Sequence, residues 1–247
     1  VIITEVMASN DSVQTVDETT FTDWIEIQNT SSRDVDLSGW GLSDRIGRPR
    51  KWQFPQGTWI GAGQRLLILC DGQTDARDGH LHAGFKLRRA GGETVCLSDP
   101  SGFIYDRLVL SEIPTNVSYG RTLGSTGFFY YDTPSPGREN SGGFLGYAET
   151  PSFTVAPGLH EITGETSQIE TCLTVPDGVT VYYTLDGSIP TRSSAVYSGE
   201  TLSMTRTTVI RARAFSDNPL IYASDVLTGT FFVSVYHTLP VFSVVCD

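Results

Sequence analysis

His160-Glu161 has the opening of the zinc-protease motif HExxH, in which two histidines four apart reach one metal from a single helical face. Position 164 is Gly, so the second ligand is missing and the motif is not formed. Asp34-Val35-Asp36-Leu37-Ser38-Gly39 supplies the oxygens and the glycine of the first half of a calcium loop, but Arg45 stands where the bidentate glutamate belongs. A strand ending in a turn is the expected state of that run. His80 and His82, two apart, would share one face of a strand and could approach a metal with Asp78 beside them. Gly79 makes a solvated loop the expectation there instead. No GxSxG elbow, Walker loop or GxGxxG opening a helix occurs in the sequence. Paired carboxylates of the glycosidase kind are recognised by their separation in space, so the many acidic residues leave a hydrolase formally open. No catalytic residue, metal ligand or cofactor is assigned from these motifs, and a non-enzymatic chain is expected.

Cys70, Cys96, Cys172 and Cys246 form no CxxC pair, which excludes a zinc ribbon or a thioredoxin-like site as a local motif. Cys70 and Cys96 each fall in an apolar strand-like run. Buried free thiols are expected there, with a disulfide between neighbouring strands as the alternative. The aromatic residues are more suggestive. Trp24, Trp40, Trp52 and Trp59 all lie in the first 60 positions, and Phe128-Phe129-Tyr130-Tyr131 are consecutive. Neighbours on a strand point to opposite faces, so one or two of that block should be exposed unless covered. Core or interdomain packing is one reading of these rings. A surface for carbohydrate or protein built from Trp59, Arg88, Arg89, Tyr130 and Tyr131 is the other.

The elements that must position these residues are strands. Runs at 23–29, 65–70, 93–98 and 104–110 are strand-like, punctuated by Gly61-Ala62-Gly63, Asp71-Gly72 and Ala90-Gly91-Gly92. Val179, Val181, Tyr183 and Leu185 alternate with more polar neighbours before the turn Asp186-Gly187. In the run 208–215, Ile210, Ala212 and Ala214 are expected to face a core, and Val209, Arg211 and Arg213 to face out. No stretch of ten residues has a capped helical period. Pro and Gly are dense from Pro134 to Pro151, which marks a linker. The reading is all-β, two β-sandwich domains in tandem: 1–140, a linker at 141–149, 150–236, and a stub at 237–247 that starts a further domain.

Composition agrees. The chain has 247 residues, 39% hydrophobic and 18% charged, which excludes both a charge-rich disordered segment and a membrane-embedded one. The formal charge is -11, and both parts are acidic: 13 basic and 18 acidic residues up to Asn140, 4 and 10 after it. A nucleic-acid partner is therefore not expected, and acidity serves solubility. No apolar run approaches the ~20 residues of a membrane span. Both ends fall in strand-like runs, Val1 to Val6 and Val241 to Cys246, so a piece cut from a longer protein is expected.

The first domain resembles the bacterial form of the lamin tail domain. The likeness is carried by Ile3 to Asn10, Asp23 to Ile27, Val35 to Trp40 with Leu42-Ser43-Asp44, Trp52 to Pro55 with Gly57, Phe85-Lys86-Leu87, Val117 to Arg121, and Thr133 to Gly137 with Asn140. It implies an immunoglobulin-like sandwich without catalytic residues. The second domain resembles the immunoglobulin-like module at the C-terminus of chitobiases and β-hexosaminidases, through Val181 to Ser188 with Pro190-Thr191 and Thr207 to Phe215. In those enzymes the module is an accessory. The tail Leu239 to Val245 is similar to the opening of the spore-coat-protein-H type of kinase-like domain. That order implies a secreted or cell-surface bacterial protein in which this segment binds or spaces, with a protein or a cell-surface polysaccharide as partner. Carbohydrate binding, or positioning of a C-terminal kinase-like domain, is the alternative.

Overall fold

The computed structural model describes residues 1–13, 21–74, 79–161, 168–235 and 243–245, and divides into two compact units, Val1–Leu145 and Gly146–Asp247. Asp78, Gly164, Cys246 and most of the stub at 237–247 lie outside the described residues. No described residue is helical.

In unit 1 the strands run β1 (Ile2–Met7), β2 (Trp24–Gln28), β3 (Val35–Asp36), β4 (Gly41–Ser43), β5 (Trp52–Gln53), β6 (Trp59–Ile60), β7 (Arg65–Leu69), β8 (Leu81–His82), β9 (Thr94–Ser98), β10 (Ile104–Val109), β11 (Ser118–Gly120) and β12 (Phe129–Tyr131). Six of them make one sheet, β12-β11-β1-β2-β7-β8, and four make the other, β10-β9-β4-β5. Ile3, Val6, Ile25, Ile27 and Ile68 from the first sheet are buried, as are Leu42, Val95, Leu97 and Leu108 from the second. These alternate apolar positions form the core of a β-sandwich. The alternation in Trp24-Ile25-Glu26-Ile27-Gln28 would suggest one wet face, yet every residue of β2 is buried. The polar face of this strand is covered by chain from 133 to 140.

Unit 2 contains β13 (Gly146–Tyr147), β14 (Gly158–His160), β15 (Ile169–Thr171), β16 (Val179–Thr184), β17 (Ala195–Val196), β18 (Leu202–Met204), β19 (Thr208–Ser216), β20 (Ile221–Tyr222) and β21 (Leu227–Val233). Its main sheet has the order β14-β21-β19-β16-β17, with small pairs β15-β18 and β13-β20. Val181, Ile210, Ala212, Ala214 and Phe231 are completely buried in one cluster with Leu173, Leu202 and Met204. Thus Ile210, Ala212 and Ala214 face the core as expected. Arg211, expected to face solvent, is 5% exposed. The turn at Asp186-Gly187 folds over it, and its Nη1 donates to the Gly187 carbonyl at 3.2 Å.

The chain between the two prolines is structured at both ends. Phe144 is buried, exchanges backbone hydrogen bonds with Tyr130 and stacks on its ring, while Ala148 donates to the Tyr222 carbonyl. The Asp34 run is a short strand followed by a turn in which Asp36 Oδ1 accepts from the Ser38 amide at 2.8 Å. His82 corrects the expected loop: it lies buried on β8, with Nδ1 2.8 Å from Asp71 Oδ2. Pairing of β8 with β7 draws it in from the solvent. Cys70 and Cys96 are buried free thiols.

Candidate functional site

The residues proposed from sequence fall into three situations. Arg88 and Arg89 lie in the loop between β8 and β9, with side chains 66% and 56% exposed. Arg89 Nη2 is 3.9 Å from Glu112 Oε1, and the Tyr130 hydroxyl donates to the Glu112 carbonyl at 3.1 Å. Arg89, Glu112 and Tyr130 therefore meet on one surface, joined to Arg88 by sequence. Burial raises the Tyr130 hydroxyl above its ordinary pKa. Trp59 is 59% exposed on β6 opposite Asp36, and no hydrogen bond or ring contact among the described residues ties it to that group. Tyr131 is only 1% exposed, with its hydroxyl 3.0 Å from Thr122 Oγ1, so it is a core residue and no part of a contact surface. The period of two on β12 separates Tyr130 from Tyr131.

A second surface has no counterpart among the sequence expectations. Trp40 packs on Tyr105 at 4.9 Å between ring centroids, and Phe103 meets Tyr105 edge-on at 5.3 Å. Tyr105 and Phe103 are exposed large rings at the start of β10, the edge strand of the four-stranded sheet. The spacing Phe103-Ile104-Tyr105 was visible, but the register shift that brings Tyr105 round to Trp40 is a β-bulge between Ile104 and Asp106. Nothing in the sequence marks it. In unit 2, Tyr182 packs edge-on against Phe215, while the guanidinium groups of Arg192 and Arg213 lie 5.1 and 5.7 Å from the Phe215 ring centre.

The third arrangement is internal. Glu5 on β1 and Glu26 on β2 are direct cross-strand partners, both 0% exposed. Glu26 is paired with Arg65 at 2.8 Å, accepts from Thr4 Oγ1 at 2.6 Å and from the Gly137 amide at 2.6 Å. Glu5 accepts from Ser118 Oγ and from the Ser135 amide at 3.1 Å. Asn140 closes the arrangement by donating to the carbonyls of Thr4 and Arg121 at 3.0 and 3.1 Å. Desolvation, with help from the Glu26 charge, pushes the Glu5 carboxyl up to about 7 against the hydrogen bonds that oppose it. Two close carboxylates invite an acid-base reading, but every oxygen here is turned to the protein interior and occupied by it. The pair fastens the segment 133–140 onto the sheet. Among the described residues no group of three or more His, Cys, Asp and Glu is arranged to hold a metal.

Comparison with known families agrees with this architecture. Residues 1–111 match the Lamin Tail Domain, and residues 162–226 match the Chitobiase/beta-hexosaminidase C-terminal domain. Both are immunoglobulin-like accessory domains and not catalytic ones. The first match ends before the segment 133–140, although that segment completes the same sandwich. Searches of curated proteins and of solved structures returned no match.

Proposed function

We propose that this chain is a non-catalytic binding or spacer segment of a larger bacterial protein, working outside the cell or on its surface and contacting a protein or a cell-surface polysaccharide. The observation that carries the reading is the pair Tyr105 and Phe103, large rings held open to solvent at the start of the edge strand β10 and backed by the half-buried Trp40. Exposed aromatic groups of this kind are disfavoured on a surface with no partner and are enriched where binding energy concentrates. The second domain belongs to a family that is typically extracellular, which supports the location.

The test is attachment of the labelled chain to intact cells of the producing bacterium. Phe103→Ala with Tyr105→Ala should weaken attachment at least about tenfold, the scale of one interface hot spot. Unchanged attachment would remove the aromatic row from the reading. Incubation with nucleotide, chitooligosaccharide and peptide substrates should give no turnover, and turnover lost on changing a surface carboxylate would overturn the non-catalytic assignment. The exposed ring of Trp59 favours a second reading, direct carbohydrate stacking. A glycan array on which Trp59→Ala binds as well as the parent chain would eliminate it.

A further inference from the structure

We propose that the cleft between the 44–51 loop and the 88–94 segment binds the carboxylate groups of an acidic polysaccharide through Arg45, Arg48 and Arg88. The inference rests on the polysaccharide arm of the reading above, but it names a different surface from the aromatic row.

The sequence concentrates charge here. Asp44-Arg45-Ile46-Gly47-Arg48-Pro49-Arg50-Lys51 puts four cations into eight positions of a chain whose formal charge is -11. Two tight turns follow each other, Arg48 N donating to Arg45 O at 2.9 Å and Lys51 N to Arg48 O at 3.1 Å. The loop is pinned to the outer face of the four-stranded sheet. Ser98 Oγ donates to the Pro49 carbonyl at 3.1 Å, and Ser43 Oγ both donates to Arg45 O and accepts from its amide. A Cβ on Gly41 would fall 2.6 Å from the Pro49 carbonyl oxygen, so only glycine lets the loop lie this close. Such a loop loses little freedom on binding, which favours affinity.

The walls of the cleft include Arg45, Ile46 and Arg48 on one side and Arg88, Gly92 and Thr94 on the other. Its two carboxylates are already engaged. Both Asp44 oxygens accept from Lys51 Nζ at 2.8 Å. Glu93 Oε2 accepts from the Arg88 amide at 2.7 Å, and its other oxygen is a long 3.9 Å from Arg88 Nε. Arg45 and Arg48 are exposed, and neither forms an ion pair with any described residue. The cleft is thus a positive island on a negative molecule.

Guanidinium forks suit planar carboxylates, which they hold in bidentate fashion. The cleft offers a protein partner no aromatic anchor, and Ile46 is its one exposed large apolar side chain. Nucleic acid carries a charge every ~1.7 Å along the duplex and would be repelled by a chain whose formal charge is -11. A glycan chain bearing one carboxylate per sugar is more sparsely charged and can be read one group at a time.

The experiment titrates the full 247-residue chain with a hexameric oligogalacturonate and follows binding by calorimetry. Binding should weaken as salt rises, because the contact is ionic. It should fall at least about tenfold in Arg45→Glu with Arg48→Glu, the loss of one or two charge-assisted contacts, and vanish when the carboxyls are methyl-esterified. Arg206→Glu in unit 2 should bind as the parent does. Since Arg45 and Arg48 have no ion-pair partner among the described residues, the double variant should unfold at the parent temperature. Absence of oligogalacturonate binding, or equal binding by the double variant or of the esterified glycan, overturns the proposal. A poly-glutamate peptide that binds more tightly and is lost with the same variant overturns the polysaccharide assignment. Run beside the cell-attachment assay, failure here with attachment intact sinks the cleft alone, whereas failure of attachment sinks the broader reading.

Discussion

Each of the two sheets of unit 1 has part of its outer face covered by irregular chain, and opposite chemistry holds the two covers down. Over the six-stranded sheet, the segment 133–140 is fastened to Glu5 and Glu26, carboxyls with no exposure at all. Over the four-stranded sheet, the 44–51 loop rests on Gly41, Ser43, Cys96 and Ser98, neutral groups that let it approach closely. The first cover buries its charge, so it should respond to pH and to the loss of any one partner. The second turns its arginines outward and holds its one buried carboxyl, Asp44, in an ion pair with Lys51, so it should be indifferent to pH between 5 and 8 and free to present arginines. One sandwich thereby combines a titratable closure with a rigid display loop.

The largest effect should come from breaking the buried ion pair. Glu26→Ala strands the Arg65 guanidinium and the Gly137 amide away from water, and unpaired buried charge of this kind typically costs about 3–5 kcal/mol. All four tryptophans lie in unit 1, so emission during denaturant unfolding reports that unit alone. A loss below about 1 kcal/mol would mean that the pair does not close the sandwich.

The pH dependence should be next in size. Glu5 has its carboxyl pushed up to about 7 from an ordinary 4.5, so between those values the folded chain holds a proton that the unfolded chain has released. Stability from this group is complete below about pH 4.5 and is lost as the pH rises through 7. The linkage is on the order of 3 kcal/mol at full extent. Asp23, raised to about 6 by burial, adds the same sign. Unit 1 should therefore be more resistant to denaturant at pH 5 than at pH 8, and Glu5→Gln should flatten that slope. A parent chain whose stability rises across this range would refute the assignment.

Gly41→Ala tests the other cover. The new methyl would strike the Pro49 carbonyl and the Arg50 backbone, and overpacking of this kind costs about 1–3 kcal/mol. The penalty should be the same at pH 5 and pH 8. Cys96, whose thiol burial pushes up to about 11, lies beneath the displaced loop and should become reactive to a thiol reagent. A penalty that varies with pH would erase the contrast between the covers.

What was legible in the sequence follows from locality. The strands at 179–184 and 208–215 could be read because a period of two is written within each run, and those at 65–70, 93–98 and 104–110 because short strand-like runs are set off by glycine-bearing turns. The burial of Cys70 and Cys96 follows from their apolar neighbours, whereas the sequence leaves open whether they pair, and the structure shows them free. Tyr130 and Tyr131 are adjacent, and the sequence could not tell which of them the sandwich would bury. In the sequence His82 reads as solvated because its partner Asp71 is eleven positions away across a turn. Arg211 was read as exposed because the carbonyl that receives it belongs to Gly187, on another strand's turn. The segment 133–140 carried a family likeness, but its purpose depends on Glu5, more than a hundred positions earlier. The aromatic row and the arginine cleft depend on a bulge and on a loop laid over a sheet, neither of which leaves a periodic signal.

The smallest predicted effect separates two roles for one hydroxyl. Ser135 Oγ lies 2.8 Å from Asn140 Oδ1 and 3.3 Å from Glu5 Oε2, and it has a single hydrogen to give. The two acceptors compete for that hydrogen, and its share in Glu5 favours the ionised carboxylate against the burial that opposes it. Ser135→Ala should therefore cost about 1 kcal/mol, the net worth of a neutral hydrogen bond, and the loss should be larger at pH 8 than at pH 5. The opposite order would show the hydroxyl serving Asn140 alone, with the Ser135 amide holding the charge.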